Sequence, residues 1–377
     1  MNGARSANIG MHFLALGGLW LALSTAGPAS AAPADFKHRQ LADIALQKFI
    51  LPGYEHLDHR LKALRFSVDA LCKAPKSKQL QLSRKAYRES ISAWGKIEFI
   101  RFGPVTRENR YERIFYWPDR KGRGRRQVLR LLSAQDDGAL KPGNLAKKSV
   151  AVQGLTALEL VLFGKASGEL AQGNPNSFAC RYGVAIIDNL QDINLALLKE
   201  LQPNGDFEKT WRSPGPQNPV YLEPSEISLE LVKALDHGLE NLRDRRIAPV
   251  LGFGKNRRRK SRPVLWRSKT SMILIHANIQ GLYRLLFSGG LADAYIASRP
   301  YNGERAEDLM DSIRSEFELT LGMSGKLADE TDPFAGKDIL SRLVPIGFPL
   351  RNIRHNAVTE IKAAAGLAIG FNASDGD

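Results

Sequence analysis

Glu159 is the residue in this sequence that most needs a chemical explanation. It is the single carboxylate in Ser149 to Gly164 (SVAVQGLTALELVLFG), a stretch that reads as one apolar helix. At helical spacing, residue 159 shares a face with Leu155, Thr156, Leu162 and Phe163, so its side chain points where a core residue belongs. A buried carboxylate has to be paired, hydrogen-bonded, bound to a cation or protonated. It is then either a structural glutamate held by an arginine or by backbone donors, or one part of a site. Two more carboxylates are set among apolar residues. Glu98 falls on a stripe with Tyr87, Ile91, Trp94 and Arg101 in a helix expected from Gln79 to Phe102. Asp119 follows the aromatic run Ile114-Phe115-Tyr116-Trp117-Pro118, which should pack back onto the protein and bring Asp119 to that face. The histidines offer less. His237 with Glu240, and Glu55 with His59, have ligand-like spacing but no apolar face around them, and both pairs read as solvated helix faces.

The elements that must position these groups are helical almost throughout. Leu57, Leu61, Leu64, Val68 and Leu71 repeat at three and four residues, as a helical core stripe does. Pro52-Gly53 should break or bend the chain before that stripe, and Gly103-Pro104 should end the helix carrying Glu98. Residues 104–148 read as a long irregular, charged connection, and long ordered loops are often functional. Another helix carries Ile186, Leu190, Ile193 and Leu197. Beyond Gln202 to Pro224, with its five prolines, the helical pattern resumes at Leu231, Leu235, Leu239 and Leu242. It continues at Ile275 to Leu286, Leu309 to Leu321, and Ile353 through Leu367. No segment alternates with period two. The expected fold is all-α, with two tandem helical bundles and a cleft between them. The expected layout is a signal peptide over 1–31, a bundle over 32–202, a linker over 203–224 and a second bundle over 225–377.

Arg5, the apolar run Phe13 to Leu23 and the small-x-small triplet Ala29-Ser30-Ala31 predict an export signal cleaved near Ala31, hence a periplasmic protein. The run is too short to span a bilayer. Cys72 and Cys180 are the only cysteines. In an oxidising compartment an even pair favours one disulfide, the alternative being two separate buried thiols. The formal charge is +15 in 377 residues. Nucleic acid is the usual partner for such a balance, but export and the absence of a recognition motif argue against it. Much of the charge is local, in Arg120 to Arg130 and in Lys255 to Arg267. Each cluster reads as a solvated loop, with attraction to an anionic surface or acidic partner as the second reading.

Trp94 to Pro104 (WGKIEFIRFGP), Gln153 to Gly164 (QGLTALELVLFG) and Gly370 to Asp377 (GFNASDGD) together resemble the imelysin-like proteins, also classed as peptidase family M75, with the related iron-regulated periplasmic proteins. The resemblance spans the mature chain. It implies an all-helical, two-domain, exported protein handling iron or another metal. The family's Gly-x-His-x-x-Glu motif is matched at Gly154 and Glu159, but Thr156 stands at the histidine position. The resemblance also assigns Glu98, in Trp-x-x-x-Glu, and Asp119, after Trp-Pro, to the site. If Glu98, Asp119, Thr156 and Glu159 converge, the pocket is all oxygen and suits ferric iron or calcium better than zinc. The alternative is a relic in which an arginine such as Arg101 or Arg113 replaces the cation.

Three functions compete. One is a non-catalytic periplasmic binding or accessory protein associated with iron or other metal uptake, partnered by a metal ion or an envelope iron-uptake protein. The second is a metallopeptidase, which needs a metal with an open position and a general base. The chain has no His-Glu-x-x-His helix and lacks the family's own histidine, so its residues do not support that label. The third is a metal-independent interaction module that uses the cleft.

Overall fold

The computed structural model describes residues 36–119, 121–252, 262–299, 303–334 and 338–367. The expected leader, the terminal Gly370 to Asp377 motif, Arg120, and Lys255, Arg257, Arg258, Arg259 and Lys260 lie outside these residues.

Among the described residues the chain is all-α, with no strand. The helices are α1 (His38–Ala45), α2 (Leu51–Lys73), α3 (Ser77–Gly95), α4 (Arg110–Ile114), α5 (Arg123–Ala134), α6 (Gly154–Phe163), α7 (Ser167–Gln172) and α8 (Phe178–Leu201). They continue as α9 (Asp206–Arg212), α10 (Pro224–Glu240), α11 (Ala248–Leu251), α12 (Ser271–Phe287), α13 (Leu291–Ala297), α14 (Gly303–Ala328), α15 (Ile339–Ile353) and α16 (Thr359–Ala364). No helix among the described residues is long and apolar enough to cross a membrane.

Four expectations about the elements need correction. Pro52-Gly53 does not break the chain: α1 runs into α2 through a wide π turn, Leu46–Ile50. Pro52 follows directly on that π turn, whose wider hydrogen-bond pattern accommodates a residue with no N–H to donate. Gly53 is required for packing, because a Cβ there would lie 2.4 Å from Ile97 Cγ2. The helix expected to reach Phe102 stops at Gly95, where α12 crosses. Asn278 Nδ2 on α12 donates to the Gly95 carbonyl at 2.7 Å, and a Cβ on Gly95 would sit 2.8 Å from Ala277 Cβ. Residues 104–148 are not simply irregular, since they hold α4 and α5. Arg123, Arg125, Arg126 and Arg130 are therefore on a helix rather than in a solvated loop. Finally, the last helical stretch starts at Ile339 and not Ile353, because α15 contains both Pro345 and Pro349. Their separation of four sets both missing N–H groups on one side of the helix.

The packing links the halves of the sequence. α2, α3 and α8 form one group of helices, with α6 packed on α3 and α8. α12 packs on α14 and on α3, and α1 packs on α9 and α10. Trp211 of α9 is buried against Phe102, Phe207 and Tyr221, and its indole N–H donates to Ala42 of α1 at 2.8 Å. The C-terminal helices are fastened to α10 by Asp236, which is buried and paired with Arg354 at 2.5 Å and Lys362 at 3.2 Å. Cys72 on α2 and Cys180 on α8 are joined by a disulfide, and both are buried in the core.

With a sequence separation of 108, this disulfide closes a long loop. The chain-entropy model assigns such a crosslink about 3–5 kcal/mol. Cys72→Ser/Cys180→Ser is thus expected to lower the urea midpoint by that equivalent while keeping the helical circular dichroism signal. An unchanged midpoint would show that the crosslink adds nothing to stability.

Candidate functional site

The helix that carries Glu159 has a fixed entry. Gly154 opens α6 with φ +77°, and a Cβ there would lie 2.3 Å from the Arg113 carbonyl oxygen, so only glycine fits. Gln153, just before it, is fully buried and ties three segments together. Its amide oxygen accepts from Arg113 Nε and Asn189 Nδ2, each at 3.0 Å, and its Nε2 donates to the Lys148 carbonyl at 2.8 Å. Arg113 is thereby committed to Gln153 and Asn189, and does not answer a site carboxylate. Arg101 is likewise committed, donating to the Tyr111 hydroxyl at 2.6 Å and lying over its ring.

Glu159 is 5% exposed. Its Oε1 accepts from the Ser268 backbone N–H at 3.0 Å and from the Ser268 hydroxyl at 2.9 Å. These donors come from a tight turn before α12, bounded by Leu265 and Lys269, both with φ +56°. Burial pushes the Glu159 carboxyl above the usual glutamate range, and the Ser268 and Arg267 interactions partly oppose that push. The same charge, after burial, raises the Tyr87 hydroxyl, which donates to the Leu155 carbonyl at 3.0 Å.

Glu159 borders a cavity of about 250 Å³ together with Thr156 and Asp119. Thr156 Oγ1 is buried without a hydrogen-bond partner. Asp119 accepts from the Arg125 backbone N–H at 3.1 Å, near the start of α5. Apolar walls come from Tyr116, Trp117 and Leu160 on one side, and Pro263, Val264 and Leu265 on the other. The rest of the rim is basic, with Arg125, Arg262 and Arg267. Sequence reasoning missed Ser268 and treated these arginines as parts of two separate solvated clusters. The only hint was that both clusters flank turn-forming segments.

Glu98 is elsewhere. It sits in the turn after α3, 5% exposed, on a separate small cavity of about 60 Å³. It is ion-paired with Arg246 and accepts from Asn278 Nδ2 at 3.1 Å. Arg246 comes from a π turn, Asn241–Ile247, and lies over the Trp117 ring at 4.8 Å. Trp117 borders both cavities, so it forms a wall between Glu98 and Glu159. The four oxygens do not converge: Asp119, Thr156 and Glu159 share one cavity, and Glu98 has its own cation. The histidine pairs also differ from one another. Glu55 and His59 are exposed. His237 and Glu240 are half-buried rather than solvated, and Glu240 accepts from Arg354 at 3.0 Å. Among the described residues no group of three or more His, Cys, Asp or Glu side chains could hold a metal ion.

An all-helical chain in which a glycine-entered helix delivers a glutamate to a cavity beside a Trp-Pro loop defines a recognisable class. The family model described as imelysin, peptidase M75, matches residues 50–341, and the chain belongs to that family. No curated protein matches it. Among solved structures, an imelysin-like protein from Psychrobacter arcticum 273-4 superimposes with a TM-score of 0.71 at 20% identity, covering 90% of this chain and 100% of that one. A putative iron-regulated protein A precursor from Parabacteroides distasonis ATCC 8503 gives a TM-score of 0.68 at 11% identity, covering 89% and 97%. At these identities the two structures share the fold.

Two tests follow from the separated carboxylates. Arg246→Met should destabilise the protein by about 3–5 kcal/mol, because it strands the Glu98 charge, and adding Glu98→Gln should restore much of that loss. Equal urea midpoints for the single and double variants would contradict a buried charge pair. The second test concerns pH. A carboxyl group whose folded pKa is raised contributes stability that is present below its unfolded value and is lost as pH rises through the folded value. Glu159→Gln should thus gain in melting temperature relative to wild type as pH rises from about 4.5 toward neutrality. A difference that does not change with pH would mean that Glu159 is not desolvated.

Proposed function

We propose that this chain is an exported, non-catalytic binding protein of the imelysin family, associated with iron or other metal uptake. On this reading its ligand enters the cavity bordered by Asp119, Thr156 and Glu159, and the ligand is not a bare cation. One observation carries the proposal: the Ser268 N–H and the Ser268 hydroxyl both engage Oε1 of the Glu159 carboxyl group. They do so where the family motif would have glutamate and histidine hold a metal. The remaining donors are a neutral threonine hydroxyl and Asp119, with Arg125, Arg262 and Arg267 at the rim. That donor set does not fit a divalent or trivalent ion, which seeks several anionic or carbonyl oxygens and is repelled by guanidinium groups. It also leaves no metal-activated water and no general base poised to use one, so the peptidase name of the family is not carried over. The link with iron rests on family membership and on the iron-regulated relative among the structural neighbours. Export rests on the N-terminal pattern of Arg5, Phe13 to Leu23 and Ala29-Ser30-Ala31.

Mature protein purified without an affinity tag should cleave no peptide. Its melting temperature should also show no saturable rise with ferric iron, calcium or zinc. A rise that saturates in wild type and disappears in Asp119→Asn would restore the metal-site reading, and turnover of a peptide would restore the enzyme. In the source organism, deletion of the gene should slow growth under iron limitation and the wild-type chain should rescue it. Unimpaired growth of the deletion strain would remove the uptake role.

A further inference from the structure

We propose that the cavity beside Glu159 binds a small polyanion, a compact molecule bearing two or more carboxylate or phosphate groups, either free or as the chelator around a metal ion. This deepens the reading above and rests on it for the location of the site.

Arg125, Arg262 and Arg267 all border the cavity, and none of them forms an ion pair among the described residues. They are close enough to act on one another: besides burial, the nearby Arg125 and Arg262 charges push the Arg267 guanidinium below its usual range, against the opposite pull of Glu159 and Asp119. Proteins rarely gather three guanidinium groups without a counter-charge, because each repels the others across a medium less polar than water. The two carboxylates on the lining, Glu159 and Asp119, offset this charge only in part, with at most two negative charges against three positive ones. Glu159 is buried and its Oε1 accepts from the Ser268 N–H and hydroxyl, and Asp119 accepts from the backbone at the head of α5.

The basic groups are also pre-positioned. Trp266 has the Arg262 guanidinium 4.4 Å from its ring centroid and that of Arg267 4.4 Å as well. Cation–π contacts of this kind hold the forks in place before a ligand arrives, so less side-chain entropy is lost on binding. The α5 N-terminus adds partial positive charge from the opposite wall, with Gly122 and Gly124 both on the lining. At the cavity wall, the buried Thr156 hydroxyl has no partner and provides a donor that the chain itself does not use. Arginine is suited to this task, since its planar fork meets carboxylate and phosphate oxygens two at a time.

The dimensions indicate a small molecule and not a protein tail. A cavity of about 250 Å³ lies just below the roughly 300–1,000 Å³ typical of small-molecule sites. Its apolar walls at Tyr116, Leu160 and Val264 enclose the ligand body while the arginines meet its charged ends.

The test is isothermal titration of the mature full-length protein with citrate, with gallium citrate as a redox-inert metal chelate, with acetate, and with a glutamate decapeptide. Citrate or its gallium chelate should bind one to one, at least tenfold more weakly in Arg267→Gln and in Arg262→Gln, and more weakly in 500 mM salt than in 50 mM. Acetate should bind at least a hundredfold more weakly than citrate. Tighter binding of the chelate identifies a metal-bearing anion, and tighter binding of free citrate identifies the anion itself; either outcome supports the proposal. The proposal is overturned if neither form binds, if the arginine variants bind like wild type, or if only the decapeptide binds. Because Arg262 and Arg267 are on the rim, both variants should retain the wild-type melting temperature. Failure of this experiment leaves the growth phenotype untouched, so the uptake role and the polyanion site fail separately.

Discussion

A carboxylate set in the apolar middle of α6 has a large desolvation cost unless donors meet it, and the turn that meets Glu159 comes from more than a hundred residues away in sequence. This one interaction organises the surrounding structure. It fixes the turn at Ser268 and so the entry into α12. It also brings Trp266 and its two flanking arginines to the cavity. α6 in turn is held by Gln153, Arg113 and Asn189, which are buried polar groups whose mutual bonds leave little freedom of position. Polar contacts of this type add little net stability for their number, but each is costly to leave half-made. Their main effect is to select a single arrangement of the segments.

Glu98 faces the same physical problem and solves it in a different way. Where Glu159 is met by neutral donors, Glu98 is met by a full charge, Arg246, delivered by a π turn whose extra residue changes the direction of the side chain. The two solutions have different electrostatic outcomes. The Glu98–Arg246 pair is neutral as a unit and closed off by Trp117. The Glu159 cluster adds no positive charge of its own to offset the carboxylate, yet its turn imports guanidinium groups at the rim.

Much of the fold was legible in the sequence because apolar residues at spacings of three and four report helices directly. The core stripes from Leu57 to Leu71 and from Leu231 to Leu242 lie on α2 and α10. The errors came where a local rule met a tertiary one. Pro52 and the pair Pro345 and Pro349 are breakers in isolation, but a π turn accommodates the first, and α15 runs on through the other two on a face away from its buried residues Leu343, Ile346 and Leu350. Gly95 is not a breaker in isolation, yet crossing by α12 ends the helix there. The site was legible only in part. Glu159 is conspicuous as a lone charge on a greasy helix, and Asp119 and Thr156 do share its cavity. Nothing in the pattern of the sequence identifies Ser268, because a serine in a charged turn is commonplace and its partner is distant. Glu98 was misplaced because a helix continued past Gly95 would have aimed it inward on the same face as Trp94.

The contact between α3 and α12 has one more consequence. Gly95 faces Ala277, Gly281 lies where a Cβ would be 2.1 Å from the Lys96 carbonyl oxygen, and Gly238 lies where a Cβ would be 2.5 Å from Leu282 Cδ2. Backbones that approach this closely interlock like meshed teeth, and sliding or rotating one past another would force many contacts apart at once. The turn at residues 262–268 belongs to the same framework, because the Ser268 backbone N–H and hydroxyl fasten it to Glu159 of α6 just before it enters α12.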